Sequence, residues 1–385
     1  MTDQAAHLAV STGLRPFASL SSPREVVRQF TPNWFTATMG TGILALTLAQ
    51  FPLPIPGLHA VAEGLWLFNI ALFTLFAALY GARWLFFFPE ASRIFGHSVV
   101  SMFFGAIPMG LATIINGFLV FGIARFGAGP AVEIAQALWW IDVAMSLACG
   151  VAIPFMMFTR QNHSVDQMTA VWLLPVVAAE VAAASGGLLA PHLAAGQAFT
   201  VLVTSYVLWA YSVPVALSML VILLLRMAVH KLPHAGMAAS SWLALGPIGT
   251  GALGMLVLGG DAPAVFAAHG LAAVGQVAQG AGVVAGLLLW GYGVWWVALG
   301  VMVTLRYLRD GFPFNLGWWG YTFPVGVYSA ATLKLAAVLH APFFAAVGGA
   351  SVTALAIMWV VVGSRTVAGA WSGKLFVAPC LKEGS

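Results

Sequence analysis

Residues 317–336 read GWWGYTFPVGVYSAATLKLA, a stretch with one charge, Lys334, and with Pro324 near its middle. About twenty mostly apolar residues are what a helix needs to cross the hydrocarbon core of a bilayer. A proline inside such a run removes one backbone donor and blocks the carbonyl four residues back. The stretch therefore reads as an interrupted membrane helix. Working outward, comparable runs lie near 33–51, 62–82, 98–121, 133–158, 168–189, 198–226, 240–260, 278–304 and 342–363, which makes ten spans. The Gly- and Ala-rich segment 262–277, with His269 and Gln276, is expected to be either the early part of a long eighth helix or an external loop helix.

Composition agrees with that reading. Of 385 residues 61% are hydrophobic and 7% charged, where a soluble domain carries about 25% charged residues. The net charge of +4 does not point to nucleic acid, because the basic residues come singly or in pairs between apolar runs. Cys149 and Cys380 give neither a disulfide framework nor a metal-ligand spacing. The first 30 residues lack an apolar core followed by a small-residue cleavage site, so no signal peptide is read. Within them, Ser22-Pro23-Arg24-Glu25 and the residues to Phe30 suggest either a short capped helix at the interface or a plain tail. The chain divides into a tail over 1–30, a ten-helix transmembrane domain over 31–365 and a second tail over 366–385.

The basic residues also orient the spans. With the N-terminus inside, the inner segments hold Arg15, Arg24, Arg28, Arg83, Arg93, Arg160, Arg226, Lys231, Arg306, Arg309, Arg365, Lys374 and Lys382, 13 of the 15. The outer loops hold Arg125 alone, and Lys334 falls within a span. This asymmetry predicts both termini in the cytoplasm, an even number of spans and a cytoplasmic (cell, or inner) membrane location.

A repeat is visible in the odd spans. Pro108, Pro175, Pro247 and Pro324 sit near the middle of the third, fifth, seventh and ninth, and Gly40 and Gly42 take the equivalent place in the first. From Gly40 the intervals are 68, 67, 72 and 77 residues, each about one helical hairpin. Such regularity predicts five quasi-symmetric hairpins. Backbone freed by proline or glycine is expected to face protein or a wet cavity, so the odd helices are expected to line a pore and the even ones to face lipid. Pro154 and Pro214, in even spans, weaken the contrast.

The segments FTPNWFTATMGTGILAL (30–46), LGPIGTGALGMLVLG (245–259) and the 317–336 stretch resemble the tellurite-resistance/C4-dicarboxylate transporter family. That family includes bacterial TehA-like proteins, a yeast malate permease, fungal sulfite efflux pumps and the slow anion channels of plant guard cells. The aromatic-Tyr-Thr-Phe-Pro segment is the most specific part of the match. The resemblance implies a homotrimer of ten-helix protomers, each with its own pore for small anions. It also implies that Phe323, just before the ninth-helix proline, plugs that pore.

The remaining candidates come from the residues themselves. Lys334, 11 residues after Phe323, lies about 20° from the same helix face and roughly 16 Å along, with Ala330 between; there it would attract anions at the outer mouth. Thr41, Asn116 and Thr250 are further polar groups on odd helices. Glu180, five residues past Pro175, is expected to be neutralised, by pairing with Lys334 or by a proton. Asp142, in an even span, reads as a structural hydrogen-bonding group.

The favoured reading is a weakly selective path for small anions, such as malate-type dicarboxylates or sulfite, with no cofactor and no catalytic residue. A proton-coupled carrier using Glu180 is the alternative. A membrane redox enzyme is a remote third reading, since His97, His192, His269 and His340 fall near span ends and form no facing haem-ligand pair.

Overall fold

The computed structural model describes residues 16–381, and among them there are helices and no strands. The principal helices are α1 (Thr36–Ala49), α2 (Leu58–Phe86), α3 (Ala106–Gly117), α4 (Ala128–Thr159), α5 (Leu174–Leu189), α6 (Ala195–His230), α7 (Leu245–Ala267), α8 (Ala272–Asp310), α9 (Phe323–Leu339) and α10 (Pro342–Ser372). Among the described residues, nine helical segments are long and apolar enough to cross a membrane, so the chain is a multi-pass all-α membrane protein. The exception is α1, of 14 residues, which the 3₁₀ turn Pro32–Phe35 extends. At about 1.5 and 2.0 Å per residue the two together reach about 29 Å, close to the hydrocarbon thickness.

The segment 262–277 is divided: its second part, from Ala272, is the start of a long eighth helix as expected, and its first part ends the seventh. α7 runs on to Ala267, a turn through Gly270 (φ +74°) reverses the chain, and α8 begins at Ala272. The helix Arg24–Arg28 is present, but Pro23 at its N-cap offers no side-chain bond; Glu25 instead binds Arg28 and Gln29. At the other end α10 continues past 365 to Ser372.

The ten helices form two concentric layers. α1 packs on α3, α3 on α5, α5 on α7, α7 on α9, and α9 back on α1, which closes an inner ring of odd helices. Each even helix packs on its own hairpin partner and on the next odd helix along, so it fills the outer groove between the two. Burial divides the same way. Between 67% and 94% of the apolar window is buried in the four long odd spans, against 22–33% in the even ones.

Five tryptophans stitch the layers together. Trp66 of α2 donates its indole N–H to the Ile114 carbonyl of α3, and Trp139 of α4 to Ala182 O of α5. Trp209 of α6 donates to Gly251 O of α7, Trp290 of α8 to Thr332 Oγ1 of α9, and Trp359 of α10 to Thr41 Oγ1 of α1. Each bond leaves one hairpin for the next odd helix, and the last closes the circle. In hydrocarbon, where water offers no competing partner, such a bond fixes which groove an outer helix occupies.

The inner ring is tight because small residues stand at its joints. A Cβ on Gly105 of the third segment would lie 2.1 Å from the Leu174 carbonyl oxygen, and one on Gly326 of α9 would lie 2.5 Å from Ile43 of α1. Gly40 and Gly42 belong to this set. α1 is regular through both, and their missing side chains admit Thr322 and Trp319 on one side and Thr113 and Asn69 on the other. They serve close packing; the expected break in α1 is absent.

The four prolines also act differently from the expectation. α3, α5, α7 and α9 each follow a 3₁₀ segment: Val100–Gly105, Ala170–Leu173, Ala235–Ala244 and Leu316–Tyr321. Pro108, Pro175, Pro247 and Pro324 lie in the first turn of the α-helix that comes next. A first-turn residue has no intrahelical acceptor to lose, so proline costs little there. The prolines mark a 3₁₀-to-α junction in four helices at one level. The prolines in true helix interiors are Pro154 and Pro214 of the outer ring and Pro263 near the end of α7.

Candidate functional site: an apolar constriction on the axis of the inner ring

At the N-terminal end of the odd helices a cavity of about 450 Å³ opens among the 3₁₀ segments. All five inner segments line it, and so do Lys374, Leu375, Val377 and Pro379 from the chain after α10. That last segment is pinned in place: Phe376 stacks on Trp34 at 4.9 Å, and Ala378 N donates to Gln29 Oε1. Most of the wall is apolar, with Asn33, Thr36, His234, Ser240, Asn315 and Lys374 as its polar points.

One step further along lies a smaller space of about 20 Å³, lined by Met39, Met109, Leu174, Val177, Gly246 and Phe323 among others. These residues come from α1, α3, α5, α7 and α9, one or more from each. Met39, Leu174 and Phe323 line both spaces, so their ring marks the boundary between them. Phe323 is the first residue of α9 and is 4% exposed. On the neighbouring α7, a Cβ on Gly246, which lines the same space, would meet nothing within 4 Å. The phenyl ring and the missing side chain are the closed and open sides of one constriction.

Helix geometry then sorts the other candidates. At 100° per residue, Asn116 is about 20° from Met109 and Thr250 about 40° from Gly246, so both share the lining face. Asn116 Oδ1 and Thr250 Oγ1 are buried without a protein partner. Thr41 is about 160° from Met39, and its hydroxyl is engaged by Trp359 of α10. Thr41 is therefore a packing group on the outer side of α1.

Glu180 is fully buried, about 90° round α5 from the Leu174–Val177 face. It turns towards α6, where Ser212 stands beside it. The Ser212 hydroxyl donates to Val176 O, and both Glu180 carboxylate oxygens lack a partner. The expected Glu180–Lys334 pair is absent among the described residues. Lys334, half-buried in the last turns of α9, acts instead on Asp261 near the end of α7. Asp142 is buried in α4 with Oδ1 unpartnered. Among the described residues no group of three His, Cys, Asp or Glu side chains is placed to hold a metal ion.

Electrostatics at the cavity follow from topology. Alternate helices in a chain of hairpins run parallel, so all five odd helices point the same end at the cavity. That end is the N-terminal one, each worth about half a positive elementary charge. Five such ends give a diffuse field that favours anions, without a point charge to trap them.

A closed ring of parallel helices around an apolar constriction, with the positive helix ends at its cavity, suits a membrane protein for anions. Comparison with known sequences gives the particular family: residues 29–367 match the SLAC1 family, described as "Voltage-dependent anion channel", and the chain belongs to it. A sulfite efflux pump of Arthroderma benhamiae is 36% identical over 353 residues, 91% of this chain and 93% of the relative. An uncharacterized transporter of Methanocaldococcus jannaschii is 25% identical over 92% of this chain and 97% of its own length. A malic acid transport protein of Schizosaccharomyces pombe is 22% identical, covering 87% and 77%. The chain is thus a small-anion transport protein, in agreement with the family that its sequence segments resemble.

Of the residues around the constriction, Phe323 and Pro324 are candidates from the sequence, and the others are not. A signal was there. Leu174, Gly246 and Phe323 each precede one of the repeated prolines, Met109 follows one, and Met39 precedes Gly40.

Proposed function

We propose that small anions pass along the axis of the five odd helices within each protomer, and that Phe323 is the gate. The observation that carries this is the constriction itself, to which every odd helix contributes and which Phe323 lines together with the side-chain-free Gly246. An apolar ring across so narrow a space blocks ions sterically and by excluding water. Asn116 and Thr250, each on the lining face of its helix with a buried, unpartnered oxygen, would contact anions beyond the gate, and Lys334 would draw them at the far mouth. The junctions at Pro108, Pro175, Pro247 and Pro324 let four helices bring side chains to the axis at one level.

On this reading the 31–365 region crosses the bilayer ten times, with both termini in the cytoplasm and the 450 Å³ cavity on the cytoplasmic side. The membrane is the cell membrane and the protein is a homotrimer; light scattering of the detergent-solubilised protein checks the oligomer. The cargo is sulfite or a C4-dicarboxylate such as malate, by likeness to the named relatives.

The direct test is Phe323→Ala in proteoliposomes. Anion flux should rise at least about tenfold, as expected when a dewetted gate is removed. Unchanged flux would take Phe323 out of the pathway.

Glu180 motivates a second reading, proton-coupled carriage, because it is a buried carboxyl group without a protein donor. Its position on the α6 side of α5 favours a structural role. If Glu180→Gln leaves the pH dependence of uptake unaltered, the coupled reading is lost.

A further inference from the structure

A second recess, of about 430 Å³, opens where the turn after α2 meets the end of α4. Arg93, His97, Arg160 and Cys380 line it, with Ser92 and Phe95. By connectivity it lies at the same end of the molecule as the N-termini of the inner helices.

Two of its charges, on Arg93 and Arg160, have no carboxylate partner among the described residues. Arg28, Arg125 and Arg306 each pair with a carboxylate, whereas Arg93 and Arg160 have neither ion pair nor hydrogen bond among the described residues, and both are exposed. Beneath them lies a third guanidinium. Arg83 is fully buried; it donates to the carbonyls of Phe30 and Glu90 and to Cys380 Sγ at 3.5 Å, and its Nε has no partner. Its partners are thus two carbonyls and a sulfur, with no carboxylate among the described residues. The nearby Glu90 carboxylate is bound to Arg28. A buried guanidinium without an anion carries an uncompensated desolvation cost.

The walls are fixed. Gln161 Nε2 donates to Phe95 O at 2.9 Å and to Ser101 Oγ at 3.0 Å, which ties the residue after Arg160 to the turn that carries Arg93. His97 Nδ1 accepts from the amides of Val99 and Val100, which puts the ring proton on Nε2. The chain leading into Arg93 and Arg160 is apolar and exposed: Phe86 and Phe88 at and just beyond the end of α2, and Phe155 and Phe158 in the last turns of α4, are 61–81% exposed.

We propose that this recess binds the phosphate of an anionic phospholipid headgroup, with its acyl chains lying along the phenylalanine surface of α2 and α4. Two planar guanidinium groups facing one space suit a tetrahedral oxyanion, which each engages through paired N–H donors. The adjacent phenylalanines favour a lipid over a soluble phosphate ester.

The test is thermal unfolding of the full-length protein in zwitterionic detergent, titrated with phosphatidylglycerol, phosphatidylcholine or inorganic phosphate. Phosphatidylglycerol should raise the transition saturably, and phosphatidylcholine should not. The double variant Arg93→Gln/Arg160→Gln should weaken the apparent affinity at least about tenfold, because neither side chain then offers the phosphate a charged donor. Arg93→Lys/Arg160→Lys should recover part of it, and Arg309→Gln, an exposed arginine elsewhere, should match the wild type. A shift produced fully by inorganic phosphate would uphold the oxyanion site and overturn the lipid as its occupant. Equal responses to the two lipids, or a double variant that responds as the wild type does, would overturn the site.

Discussion

The inner and outer rings solve the same problem, a helix in lipid, by opposite means. An outer helix such as α4 or α8 has about a fifth of its apolar window buried; it needs only apolar side chains facing lipid and one tryptophan reaching inwards. An inner helix such as α5 has 94% of its window buried, so every face meets protein or the axis. Steric detail therefore concentrates in the inner ring. Equal hydropathy thus hides unequal constraint: the outer ring tolerates change on its lipid face, and the inner ring only where space is open, as at Gly246.

The sharpest way to break this comparison is to add a side chain to each ring. Gly105→Leu would drive a Cβ into the Leu174 backbone and should cost at least about 3 kcal/mol or abolish folding. Gly81→Leu on α2, where nothing lies within 4 Å, should change stability by less than about 0.5 kcal/mol. Thermal unfolding in detergent distinguishes them; similar costs would mean that the two layers are not distinct.

A smaller effect tests the stitching. Trp139→Phe removes the buried bond to Ala182 O and should cost about 1–3 kcal/mol, whereas Trp295→Phe, on an exposed face of α8, should fall within about 0.5 kcal/mol. Smaller still, Thr250→Val removes a buried hydroxyl without a partner and should be neutral or stabilise by up to about 1 kcal/mol, while lowering anion flux. A large loss of stability there would mean that the hydroxyl has a structural partner.

The smallest effect lies outside the membrane. Burial holds the His163 ring below the usual histidine range, and the ring contacts Gln161 Oε1. Its folded state therefore binds fewer protons than the unfolded one, so this contribution is complete above the ordinary histidine value of about 6.5 and declines as pH falls through it. Unfolding midpoints between pH 8 and pH 5 should fall slightly less steeply in His163→Gln.

Much of this was legible in the sequence. Span positions and the 67–77-residue rhythm follow from apolar length and proline alone. What stayed hidden was which face of each helix points where. Thr41 and Glu180 look like pore residues until helix packing turns Thr41 towards Trp359 and Glu180 towards Ser212. The tryptophan stitches, at 66, 139, 209, 290 and 359, carry their own near-regular spacing. With fifteen tryptophans in the chain, that series emerges only once the acceptors are known. Gly40 and Gly42 read as loosening a helix, because a glycine that softens and one that admits a neighbour look the same in one dimension.

The central claim, that anions cross between Phe323 and Gly246, is tested most directly by a pair of changes on the two sides of that gap. Gly246→Leu, placed in the Phe323→Ala protein, should return proteoliposome anion flux from its raised level to that of the wild type or below, with thermal stability retained. Flux that stays at the level of Phe323→Ala would contradict the claim, because it would mean that the route does not pass between these two residues.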